Sequence, residues 1–125
     1  MVFSGGADGG PQITIDGGSA AGPAPMQILL LSVAGCMGID IRMILEKSRV
    51  PLDRLEIETI GERAEEPPRR YLKMELICRV SGPGPDDADK VLRAVELSRD
   101  KYCSVLHSLD PAMHIAVRIA AFEDT

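Results

Sequence analysis

Tryptophan is absent from the 125 residues of this chain, and there are only two Tyr and two Phe. So few aromatics leave no platform on which nucleic-acid bases could stack. Basic residues are outnumbered, 14 against 19 acidic, and the formal charge of −5 offers no electropositive face to a phosphate backbone. No Lys or Arg precedes Arg42, and the opening MVFSGGADGG lacks both the basic leader and the apolar stretch of an export signal, which predicts a cytoplasmic protein. The most apolar segment, Ile28 to Ile39, is followed by Asp40 and Arg42; it is too short for a membrane span and reads as a buried helix, with no membrane partner. The glycines show neither the GxxxxGK nor the GxGxxG spacing of a phosphate loop. Cysteines number three, an odd count in a chain with no visible leader, so reduced thiols are expected in place of a disulfide framework.

What is present is ordinary globular material: 45% apolar and 26% charged residues, in a length that suits one domain over residues 1–125. After a Gly-rich opening, Gln12 to Asp16 alternates as a short strand does, and Asp16-Gly17-Gly18 ends it with turn chemistry. Ser19 to Pro25 is a loop. Pro25 suits the first turn of a helix that runs from Met26 to Ser48, its first half apolar nearly all round and therefore expected to be buried on most sides. Gly35 and Gly38 flank Cys36 and suggest close packing there. Leu55 to Arg63 and Tyr71 to Val80 alternate at period two and predict an antiparallel hairpin, with Leu72, Met74, Leu76, Cys78 and Val80 on one face. Asp86, Asp87 and Asp89 put negative charge at the start of a second helix whose apolar face is Ala88, Val91, Leu92 and Val95. That helix ends near Cys103; a short helical stretch from Ser104 and a last strand, Met113 to Phe122, follow. The order predicts an α+β fold with an antiparallel sheet.

Cysteine is the strongest candidate for chemistry, because a thiolate in a positive or helix-N-terminal setting is a nucleophile. Cys103 follows Lys101 and precedes the short helix, a neighbourhood expected to lower its pKa. Cys36 lies mid-helix, where Asp40 one turn later would oppose ionisation. Taken alone, each is more simply a buried structural thiol. Cys78 alternates with Leu76 and Val80 and reads as structural. His107, four residues after Cys103, could pair with it as a base or as a second metal ligand. No further ligand is spaced nearby, His114 reads as surface, and the Asp86 to Asp89 cluster reads as helix-start electrostatics.

The segment Gly22-Pro23-Ala24-Pro25-Met26-Gln27-Ile28-Leu29-Leu30, then Ala34-Gly35-Cys36 with Asp40 four residues on, resembles the first cysteine motif of the OsmC and organic hydroperoxide resistance superfamily. Leu97-Ser98 through Lys101-Tyr102-Cys103-Ser104-Val105 resembles the second, and the similarity covers roughly Asp16 to the C-terminus. The resemblance implies an OsmC-like fold with a long buried central helix and a second helix, assembled as an intertwined homodimer. It also implies that Cys36 is the peroxidatic and Cys103 the resolving cysteine, acting on a small organic hydroperoxide or apolar ligand with a dithiol reductant and no metal or organic cofactor. Three positions depart from the family's hydroperoxide reductases. The Arg near their N-terminus has no counterpart, as if the chain began inside the first family strand. Met26 and Gln27 stand where Glu would follow the helix-opening Pro, and are taken as substrate-contacting residues. Ser104 replaces a Pro. The OsmC-like branch therefore fits better than the reductases, and two activities follow from the resemblance: a thiol peroxidase, or a binding or redox-sensing protein for a small apolar or thiol ligand.

Overall fold

The computed structural model of the protein describes residues 1–123. The chain divides into two compact units, Met1–Leu31 and a second beginning at Ser32. In the first, strand β1 (Val2–Gly5) pairs antiparallel with β2 (Ile13–Asp16), Phe3 opposite Ile15. β1 falls in the glycine-rich opening, where the residues themselves predict no strand and only the family resemblance does; a four-residue strand ending in Ser-Gly carries too little alternation to register. Asp16 is buried and accepts the backbone N–H groups of Ala21 (2.8 Å), Gly18 (2.9 Å) and Ala20 (3.2 Å), folding the loop back on the strand end. These donors, Ala21 foremost, hold its carboxyl below the usual range against the opposing effect of burial.

Helix α1 (Pro25–Lys47) starts with Pro at its first position. Gln27, in the third position, turns its Oε1 back to accept the N–H of Ala24 at 2.8 Å, as the third residue of a capping box does. The same oxygen accepts Ser19 Oγ–H at 2.7 Å. The helix runs into the second unit, where Val33, Met37, Ile41 and Leu45, spaced by four, are fully buried. Ile57 Cδ1 would lie 3.6 Å from a Cβ at Gly38, which puts the following strand beside the helix.

The expectation of a helix buried on most sides is corrected by its opposite face. Leu31, Ile39 and Met43 are 60%, 64% and 50% exposed, and a Cβ at Gly35 would meet nothing within 4 Å. Two residues along a helix turn it by about 200°, so α1 carries apolar stripes on two opposed faces, of which the chain itself covers one. By length and composition alone α1 could cross a membrane, since the 23-residue helix contains an apolar stretch of 18 residues, longer than Ile28 to Ile39. Its four buried side chains instead make it a core helix.

The second unit is built on a three-stranded sheet of order β3-β4-β5. β3 (Arg54–Arg63) and β4 (Tyr71–Ser81) form the predicted antiparallel hairpin, Ile57 opposite Cys78. β5 (His114–Ala120) lies parallel to β4, Leu76 beside Val117 and Cys78 beside Ile119, so the sheet is mixed and not antiparallel throughout. The reason lies in the connection: a strand that returns through a helical crossover comes back in the direction it left. Between them lie a 3₁₀ turn (Pro85–Asp87), α2 (Ala88–Leu97), a π turn (Ser98–Tyr102) and α3 (Ser104–His107). β4 is central, and Met74, Leu76, Ile77 and Cys78 are buried there. Leu72 is half exposed at the strand's start, and on α2 the buried positions are Val91, Ala94 and Val95, with Leu92 on the rim. Gly82 closes the turn after β4 at φ +111°, where a Cβ would fall 2.6 Å from the Asp53 nitrogen; only glycine fits.

Candidate functional site

Cys36 and Cys103, far apart in sequence, come together in the second unit. Cys36 rides on α1, half-buried; Cys103 is completely buried. Both are free thiols, and Cys36 is close enough to Cys103 to help raise its pKa. The placement of Cys103 depends on the π turn. There its N–H reaches back five residues to the Ser98 carbonyl, at 2.8 Å, and leaves the helix with extended backbone (φ −70°, ψ 99°). Cys103 then caps α3, its Sγ accepting the Leu106 N–H at 3.4 Å.

Helix-start geometry is thus as the sequence suggests, but its expected effect on Cys103 is not. Burial is the largest influence and pushes the thiol up to about 11; the Leu106 N–H opposes it, and neighbouring Cys36 and Asp40 add to the rise. A four-residue helix contributes one weak donor, and complete loss of solvent outweighs it. Cys103 is held as a neutral thiol beside the more accessible Cys36.

Asp40 lies one turn beyond Cys36 on α1. Its Oδ2 accepts the Ser98 Oγ–H at 2.9 Å, and Ser98 is completely buried. The sequence motifs contain both residues, but nothing in the pattern marks Ser98 as the contact. A serine closing an amphipathic helix is the available signal. Beside this bond opens a cleft of about 460 Å³ lined by Asp40, Met43, Ile44, Lys47, Ser48, Leu97 and Tyr102, a mixed apolar and polar surface to which neither cysteine contributes.

Met26 and Gln27 belong to the first unit, where Gln27 caps α1. His107 is exposed and its Nε2 bonds the Arg99 carbonyl at 3.0 Å, so it is not partnered with Cys103. Cys78 is buried mid-sheet, its thiol pushed up to about 11 by desolvation, in keeping with a structural role. Among the described residues no three His, Cys, Asp or Glu side chains converge to hold a metal ion.

The sequence profile of the OsmC-like protein family matches residues 17–118. Protein YhfA of Escherichia coli K12 is 40% identical over 116 residues, spanning 92% of this chain and 86% of YhfA. Among solved structures, the OsmC-like protein of Mycoplasma pneumoniae superposes with a TM-score of 0.74 at 16% identity, covering 98% of this chain and 96% of the other. The organic hydroperoxide resistance protein OhrB of Bacillus subtilis gives 0.61 at 13% identity, covering 96% of each chain. At those identities the two structures speak for the fold, and the family rests on the profile and on YhfA: this protein belongs to the OsmC-like family.

Proposed function

We propose that this protein is a thiol-dependent peroxidase that reduces small organic hydroperoxides in the cytoplasm, working as a homodimer with a dithiol as reductant. The observation that carries the reading is the meeting of a half-buried thiol, Cys36, with a buried neutral one, Cys103. The Cys36 thiolate attacks the distal peroxide oxygen; the O–O bond breaks, the alkoxide takes a proton and leaves as an alcohol, and Cys36 becomes a sulfenic acid. The Cys103 sulfur then attacks Cys36. The S–S bond forms, the S–O bond breaks, and the thiol proton leaves with the hydroxyl as water. An external dithiol returns both cysteines to thiols and is itself oxidised to a disulfide.

Met43, Ile44 and Leu97 in the cleft beside Asp40 offer apolar surface to the organic part of a peroxide, and OhrB, which shares the fold, is named for organic hydroperoxide resistance. The exposed stripe of Leu31, Ile39 and Met43 supports the homodimer, because a second copy of the same helix would cover it. Met26 and Gln27 are kept as substrate contacts. With its Oε1 committed to Ser19 and Ala24, Gln27 would contribute its amide NH₂. The deep burial of Cys103 favours a second reading, a binding or redox-sensing protein whose disulfide forms slowly and does not cycle.

Stopped-flow consumption of cumene hydroperoxide with dihydrolipoamide separates the two. Fast turnover, abolished by Cys36→Ser and stalled at the sulfenic acid by Cys103→Ser, is the expected result. Negligible turnover by wild type with all thiols free would refute the peroxidase and leave the sensor.

A further inference from the structure

Ser98 is the only hydroxyl among the fully buried polar side chains described, and it is bonded at both ends. Its Oγ–H reaches Asp40 on α1, one turn beyond Cys36, and its carbonyl receives the N–H of Cys103. One residue therefore ties the element that carries the first cysteine to the backbone of the second. The π turn makes this tie matter. One additional residue in a helical turn rotates everything after it by about 100°, so the five-residue loop from Ser98 sets the direction in which Cys103 leaves the helix. If Ser98 slides along α1, Cys103 moves with it.

We propose that Ser98, anchored on Asp40, is a positioning residue for disulfide formation between Cys36 and Cys103, with no part in the attack on peroxide. The inference rests on the two-cysteine reading above. The anchor holds the Cys103 sulfur in line with the S–O bond of the Cys36 sulfenic acid. The first step needs only Cys36 and the hydroperoxide, and proceeds without the anchor. The second needs two protein sulfurs in register, where small misplacement is costly.

The experiment follows each step separately in single turnover. Dimedone trapping reports the Cys36 sulfenic acid, and mass spectrometry reports the disulfide and any Cys36 sulfinic acid. Ser98→Ala should form sulfenic acid within about twofold of the wild-type rate. Its disulfide formation should slow by about tenfold, the worth of one hydrogen bond to a charged acceptor, and sulfinic acid should accumulate. Asp40→Ala removes the acceptor without touching the buried serine and should slow disulfide formation to a similar degree; Asp40 also lines the cleft and follows Cys36 by one turn, so the comparison for this variant is of the disulfide step alone. Asp40→Asn keeps an oxygen to receive the Ser98 proton and should restore disulfide formation to within about threefold of wild type, although the charge is gone.

Wild-type disulfide rates in Ser98→Ala, or equal slowing of both steps, would overturn the proposal. So would an Asp40→Asn variant as slow as Asp40→Ala, because charge and not the bond would then be responsible. Equilibration of the same variants in a dithiothreitol redox buffer measures how well the two sulfurs are held together without any peroxide. Should wild type form no sulfenic acid, the peroxidase reading falls, while an unchanged disulfide equilibrium in Ser98→Ala and Asp40→Ala would sink the positioning role.

Discussion

Raising the pH should destabilise this protein in part through a thiol that takes no part in its chemistry. Cys78 is buried at the centre of β4, and desolvation alone pushes its pKa from 9.0 up to about 11. In the unfolded chain the same thiol ionises near its ordinary value. Below about pH 9 neither state is ionised and the native state keeps its full stability. Between there and about 11 only the unfolded chain loses the proton, so stability falls as pH rises. Each pK unit of difference is worth about 1.4 kcal/mol, so the two-unit gap costs about 2 kcal/mol at pH 11, where the native thiol is itself half ionised, a sizeable fraction of a small domain's stability.

Cys78→Ala isolates this contribution. At pH 8 the variant should be less stable by about 1 kcal/mol for the lost packing. At pH 11 the order should reverse, with the variant ahead by about 1 kcal/mol by the same linkage. Urea unfolding followed by far-ultraviolet circular dichroism, under reducing conditions at both pH values, gives the double difference directly. A gap between wild type and variant that is the same at pH 8 and pH 11 would refute the reasoning.

Two further predictions concern the thiols and the central helix. With Cys78 and Cys103 both pushed up to about 11, iodoacetamide at pH 8 should alkylate half-buried Cys36 first, and the other two about 100-fold more slowly than an ordinary thiol; peptide mapping that finds Cys103 labelled as fast as Cys36 would contradict this burial. On α1, Ile41→Ala should cost about 2–5 kcal/mol by cavity formation at any protein concentration. Ile39→Asp, on the opposite stripe, should leave the secondary structure intact and shift the molecular mass seen by light scattering from dimer to monomer, whereas an unchanged mass would remove that stripe from the interface.

The hairpin of β3 and β4 was legible because both strands alternate strictly and each is ten residues or more. The two helices were legible from their caps and periodicity. β1 was not, for want of length, and the direction of β5 was missed because alternation reports a strand's faces and not its neighbour. Apolarity alone could not reveal that α1 has one covered face and one open one: Leu31 and Met37 look alike in sequence, and only packing separates them. For the site, the local features of Cys103 were readable, including its place at the start of α3. That burial outweighs the helix start, and that Cys103 meets Cys36, depends on contacts distant in sequence. Periodicity says nothing of such contacts, and only family resemblance brought the two cysteines together. The bond between Ser98 and Asp40 lay beyond both approaches.

The π turn also bears on how this sequence can change over time. Arg99, Asp100, Lys101 and Tyr102 are largely at the surface, and the bond that closes the turn between Ser98 and Cys103 is made by backbone atoms. Their number is another matter. Deleting one of them would let α2 continue as an ordinary helix, at no cost to its own hydrogen bonds, and would turn Cys103 away from its partner. Apart from Tyr102, which lines the cleft, drift in residue identity is cheaper along this stretch than drift in length, so the spacer is as tightly specified in count as the cysteines are in kind.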